Sequence, residues 1–321
     1  MTIRPWARCI ALVALSTQLA ACGGGGSGGT PVNTPALLGT KDDVARELGN
    51  LIDFIALGDN IENTQSAQAT WRPRVQSKQL NRARLAKAAV ACDSGSANEE
   101  TGSAVRDFEL FPVSRSVEFT RRSSDNCSSE VGDGTTITFD GVFEDGQSAA
   151  GSDGLSYDYF AAGSAGSPVS LEIEADDGEF STLSTLGVIE TASDSAASET
   201  RVSVAIDATD SSGYSSMAQV GDDGDPLIAT ITGTRISVSG PYRYSSTLCS
   251  GGAVRVATPS ELTFGVNGYP NGGELRLTAG TQTATVRINL DNSATVQLPD
   301  GSTQTISSSE ARSIFDNGSD C

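Results

Sequence analysis

The 321-residue chain has no histidine. That absence removes Ser-His-Asp and Cys-His catalysis, imidazole general-base chemistry and every histidine-ligated metal site. Aromatic residues are scarce, at 6% of the chain, a balance that suits turn-rich β structure better than a packed helical bundle. None of the six cysteines stands in a CxxC pair, so neither a zinc ribbon nor a thioredoxin-like motif is supported. Long apolar runs are missing too. The stretch from Cys9 to Ala21 is interrupted by Ser16, Thr17 and Gln18, too short to cross a hydrocarbon core of about 30 Å.

What the chain does contain is glycine, 35 residues of it, and an excess of acid, 40 Asp and Glu against 21 Lys and Arg. The excess is local: residues 131–321 hold 26 acidic and 7 basic side chains, whereas residues 1–130 are balanced at 14 each. An acidic C-terminal part repels nucleic-acid phosphates and anionic headgroups, so no nucleic-acid partner is expected there, and solubility is its simplest use.

Arg4 and Arg8 make a positive start, Ile10 to Leu15 an apolar middle, and Leu19-Ala20-Ala21-Cys22 a small-residue cleavage site, which is the order of a secretory leader. This segment resembles the lipobox of bacterial lipoproteins. The resemblance implies a signal peptide over 1–21, lipidation of Cys22 and a bilayer as partner through that anchor, held stably by two or three acyl chains. In that class an Asp after the lipidated Cys signals inner-membrane retention. Gly23 stands there instead, which implies the outer membrane, at its periplasmic leaflet or the cell surface.

Residues 22–40 then read as a lipidated Cys and Gly-rich tether, since Gly23 to Gly29 with Pro31 and Pro35 has nothing to bury. Matches to GxSxG and GxGxxG within it lack the flanking strand and helix both motifs need, so they are spurious. Residues 41–91 read as a helical region. Thr40 and Asp43 form a capping box, and Val44, Leu48, Leu51, Ile52 and Ile55 share a face, predicting a helix over about 41–58 that Gly58 can stop. Between Ser66 and Ala91 lie Trp71 and six basic residues, Arg72, Arg74, Lys78, Arg82, Arg84 and Lys87, with no acid. Such a run suits lipid phosphates or a solvated helix face.

Residues 92–321 read as an antiparallel β domain. From about Val105 apolar residues alternate with polar ones, as in Ile137, Phe139, Gly141 and Phe143, or Val202, Val204 and Ile206, the pattern of strands buried on one side. Asp140-Gly141, Asp145-Gly146, Asp177-Gly178, Asn267-Gly268 and Asp300-Gly301 read as tight hairpin turns. About a dozen strands exceed what a flat sheet holds, so the mainly β fold is expected to be a large meander curled into a barrel or sandwich, with a short helical N-terminal region.

Candidate chemistry is thin. Asp222, Asp223 and Asp225 could collect a hard cation, though a solvated hairpin tip explains the same letters. Glu172, Glu174, Asp176 and Glu179 are the densest carboxylate set, yet the first three share the face opposite Leu171 and Ile173, which is the solvent face. No cofactor and no metal is expected. Cys92, Cys127, Cys249 and Cys321 suit two disulfides in an oxidising periplasm, nearest-neighbour pairing giving Cys92 with Cys127 and Cys249 with Cys321. The poly-Gly stretch and the β-rich body with Gly141-Val142-Phe143 resemble surface lipoproteins of Gram-negative bacteria, among them transferrin-binding and factor H-binding proteins. That resemblance implies a binding role; the barrel-closing motif of those families near the C-terminus is not visible here. The expectation is a non-catalytic outer-membrane lipoprotein, envelope-structural or binding a protein or glycan. A surface-exposed protein-binding lipoprotein, a periplasmic carrier of hydrophobic ligands and a carboxylate-based glycosidase are the alternatives.

Overall fold

The computed structural model describes residues 33–62, 92–130, 135–163, 167–175, 178–222, 224–247, 251–265 and 268–318. The leader, Cys22, the poly-Gly stretch and the basic run of 66–91 lie outside them, as do Cys249 and Cys321. Among the described residues no helix is long and apolar enough to cross a membrane.

In chain order the elements are α1 (Lys41–Glu62), β1 (Ser94–Asp107), β2 (Ser114–Glu130), β3 (Thr136–Ser148), β4 (Ser156–Ala162), β5 (Val169–Glu174), β6 (Phe180–Ser193) and β7 (Ala197–Asp210). They continue with β8 (Ser215–Val220), β9 (Leu227–Thr232), β10 (Arg235–Ser246), β11 (Gly252–Phe264), β12 (Pro270–Ala279), β13 (Gln282–Ile288), β14 (Ala294–Gln297), β15 (Thr303–Ile306) and α2 (Ser308–Asn317). The fifteen strands form one antiparallel meander with β1 and β15 at its ends. Two positions in it are shared: β4 and β5 both fill the place between β3 and β6, and β8 and β9 that between β7 and β10. The mainly β, antiparallel architecture is therefore the one the alternation predicts.

The sheet curls around α1, which touches β4, β6 and β7 on one side and β15 and α2 on the other. Val44, Leu48 and Leu51 of α1 join residues from β6 through β15 in one core. The helix starts where its capping box predicts: the Asp43 amide donates to Thr40 Oγ1 at 3.1 Å and the Thr40 amide to Asp43 Oδ2 at 3.1 Å. It does not stop at Gly58 but runs on to Glu62, because one interior glycine costs only about 1 kcal/mol. Residues 33–40 also differ from a free tether. Ala36 and Leu38 are buried, and the chain pairs in parallel with Ala253 through bonds of 2.9 and 3.2 Å.

Two Asp-Gly pairs are not turns. Asp140-Gly141 and Asp145-Gly146 lie inside β3, whereas Asp300-Gly301 does join β14 to β15. A glycine in a long strand also serves where the strand must bend. Gly187 in the middle of β6 has φ +135°, and an added Cβ would stand 2.1 Å from the Ser203 carbonyl oxygen of β7. Gly240 in β10 has φ +130°, with Leu227 Cα of β9 2.7 Å from the same point. Side chains are excluded at both places, and there the sheet bends. β1 is a strand that alternation does not reveal, since it is exposed along nearly its whole length and buries neither face.

Cys92 and Cys127 form a disulfide, with Cα atoms 5.2 Å apart, tying the segment before β1 to β2. Peptide mapping without reductant is expected to return this bridge and a second one between Cys249 and Cys321. Free thiols at the latter two would refute the second bridge.

Candidate functional site

The residues singled out for chemistry come apart in the fold. Glu172 and Glu174 are exposed on β5, as is Glu179 beyond it, while Asp176 is outside the described residues. Asp222 donates no free carboxylate to a cation, because Arg243 Nη2 lies 3.1 Å from its Oδ1, and Asp225 is paired with Arg255. Asp223 is outside the described residues. Among the described residues no group of three or more His, Cys, Asp or Glu is placed to hold a metal.

Two buried glutamates carry the strongest polar organisation instead. Glu190 of β6 is fully buried and accepts from the backbone amides of Glu109, Leu110 and Phe111 at 2.7, 2.7 and 3.2 Å. Arg201 completes the clasp, donating to the Leu110 carbonyl at 2.6 Å and lying 4.1 Å over the Phe111 ring. The β1–β2 connection is thereby pinned onto one side of the sheet, against Tyr157 and Tyr159. Burial pushes the Glu190 carboxyl above its ordinary range, opposed by the three amides and by Arg106.

Glu47 belongs to the other side. It lies on α1, fully buried, and accepts from Tyr244 Oη at 2.8 Å and Tyr242 Oη at 3.3 Å. The next residue before Glu190, Ile189, packs into the core with α1, and successive strand residues point to opposite faces. Glu47 and Glu190 are thus separated by the sheet and do not make a facing pair of the kind glycoside hydrolysis uses. Sequence reasoning passed over both. For Glu47 a signal existed, because it falls on the same helical stripe as Val44, Leu48 and Leu51.

Burial holds the Glu47 carboxyl above its usual 4.5, against the Tyr244 and Tyr242 hydrogen bonds and the Arg46 guanidinium. A carboxyl raised in the folded state binds its proton more tightly there than in the unfolded chain. Its contribution to stability is present below pH 4.5 and is lost as pH rises through the folded value. Glu47→Gln removes that loss. The urea midpoint of the variant relative to wild type is therefore expected to climb as pH rises above 4.5. A difference that stays flat or falls over that range would contradict it.

A cavity of about 90 Å³ lies between the two helices and the concave side of the sheet. Leu48, Leu51 and Ile52 of α1 form one wall, and Ile236, Val238, Leu262, Leu275, Ile288, Ala294 and Ile306 of β10 to β15 form another. Their inward positions follow from the strand alternation, which aims every second side chain at the core. α2 closes the space with Ala311, Ile314 and Phe315, each only half-buried. The lid is seated by its edges: Lys41 Nζ meets Glu310 at 2.7 Å, Phe315 packs on Phe264 and Tyr269, and the Tyr269 hydroxyl donates to Asp316 at 2.9 Å. α2 itself begins at a full capping box of Ser307 and Glu310, legible as Ser-x-x-Glu in the sequence. A more polar groove of about 310 Å³ on the opposite side of β8 to β12 is rimmed by the paired Arg243 and Asp222.

A space lined mainly by aliphatic and aromatic groups, with Tyr269, Asn292 and Arg312 as the polar side chains among them, can hold hydrocarbon. Compared with known proteins, the chain matches no family model, no curated protein and no solved structure, so its site is read from its own geometry.

Proposed function

We propose that this chain is a lipoprotein anchored to the outer membrane through Cys22, with a non-catalytic binding role, and that a small apolar molecule is what it binds. The cavity beneath α2 carries this reading. Its walls come from seven separate elements and are almost wholly apolar, and the half-buried helix over it offers a way in. Engineered apolar cavities of about 150 Å³ stay dry and take up benzene or xenon. A smaller one of the same chemistry suits xenon or a short alkane. The anchor rests on the lipobox, whose Gly-rich continuation reaches the fold at Asn33.

The test uses the mature chain with Cys22→Ser behind a cleavable leader, which leaves every described residue in place. Titration with xenon or n-pentane is expected to shift the methyl resonances of Leu275, Ile288 and Ile306. Ala311→Leu, which adds carbon to the cavity, should suppress those shifts. Shifts that never appear, or that are scattered over the whole sheet, would end this reading. Mass spectrometry of the membrane-extracted protein is expected to find an acylated N-terminal Cys22.

A further inference from the structure

We propose that the ligand of this cavity is an anionic amphiphile, a free monocarboxylate whose hydrocarbon tail lies under α2 and whose head meets Arg312; this rests on reading the cavity as an apolar ligand site. Among the described residues lining the cavity, Arg312 is the only one with a formal charge. It is also exposed, so it stands where the apolar space meets water. Its guanidinium is held at that place from two directions, 5.3 Å over the Tyr269 ring and with Nη2 3.5 Å from Asn292 Oδ1. Asn292 is itself fixed by donating to the Pro270 carbonyl at 2.7 Å. The nearest acids on α2 have other partners, Glu310 with Lys41 and Asp316 with the Tyr269 hydroxyl.

A planar guanidinium at the mouth of a hydrocarbon-lined space matches a carboxylate head on an apolar tail. The part of the chain that contains it, residues 131–321, carries 26 acids against 7 bases, a net charge that opposes an anion, so the attraction has to come from this guanidinium alone. Size selects among such molecules. A space of about 90 Å³ cannot admit the two chains of a phospholipid, which favours a free acid. Tails longer than a few carbons need α2 to lift, which parts Ala311 and Ile314 from the core and Phe315 from Phe264 and Tyr269.

Calorimetric titration of the Cys22→Ser mature chain with octanoate, octan-1-ol and octyltrimethylammonium tests this. Octanoate is expected to bind about tenfold more tightly than the other two, the difference one charge-assisted pair supplies. Arg312→Gln, at an exposed position, should bring octanoate down to the alcohol, and Arg312→Lys should restore part of the preference. Alcohol binding as tight as octanoate, or an octanoate affinity untouched by Arg312→Gln, would overturn the proposed ligand class while leaving an apolar site standing. If none of the three binds, and xenon and pentane leave the methyl resonances unmoved, both readings fall together.

Discussion

Glu190→Ala is expected to destabilise the protein by about 3–5 kcal/mol, since each buried donor left without its acceptor costs about 1–3 kcal/mol and losing a charged partner costs more. Three amides depend on this one carboxylate, those of Glu109, Leu110 and Phe111. Leu110 and Phe111 are buried, with Arg201 on the Leu110 carbonyl and Phe111 packed against Tyr157 and Tyr159. Hydrogen exchange should therefore accelerate at 109–111 before it does at β10 to β13. Glu190→Gln keeps one oxygen acceptor and turns an amino group toward the same donors, so an intermediate loss is expected. Urea unfolding gives the magnitude and amide exchange its location. Unchanged protection at 109–111 in the alanine variant would mean that the loop is held by its aromatic contacts instead.

Gly187→Ala carries the second large effect. At φ +135° a side chain is strained by about 1–3 kcal/mol whatever surrounds it. Here the added Cβ would also stand 2.1 Å from the Ser203 carbonyl oxygen and 2.8 Å from Val204 Cα, both backbone atoms of the neighbouring strand. Relief requires β6 to move away from β7, along a register of thirteen paired residues that runs from Ser181 to Ser193. A loss of about 3 kcal/mol or more is expected, with altered near-ultraviolet dichroism from the tyrosines of β4. Gly213 supplies the control. Its φ is +88° but nothing lies within 4 Å of its added Cβ, so Gly213→Ala should cost only about 1 kcal/mol. Equal losses at the two glycines would show that backbone strain alone, and not the closeness of β7, makes the corner.

The proposed site was partly readable in the sequence. Leu262, Phe264, Leu275, Ile288 and Ile306 stand at alternating positions that any one-sided strand would bury, and Ser307 with Glu310 is a helix-start signature. Nothing in those letters says that the sheet curls far enough for α1 and α2 to lie over the same strands. The acidic turn at Asp222 to Asp225 shows the same gap, because Arg243 and Arg255, which neutralise it, are 21 and 30 residues away. A charge cluster looks free in sequence whenever its counter-ions come from another strand.

Local physics settled the class. Alternation of period two and the Thr40–Asp43 cap each depend on residues within a few positions of one another, and a single chain displays them. Whether Asp-Gly marks a turn, as at Asp300-Gly301, or the inside of a bent strand, as at Asp140-Gly141, depends on whether neighbouring strands keep pairing across it. The burial of Glu47 and Glu190 depends likewise on what distant segments are laid over them: the tyrosines of β10 for one, the β1–β2 connection for the other. Those choices belong to the tertiary structure, because hydrogen bonds and desolvation are decided by contacts between segments far apart in the chain, such as Glu47 and Tyr244 at a separation of 197 or Lys41 and Glu310 at 269.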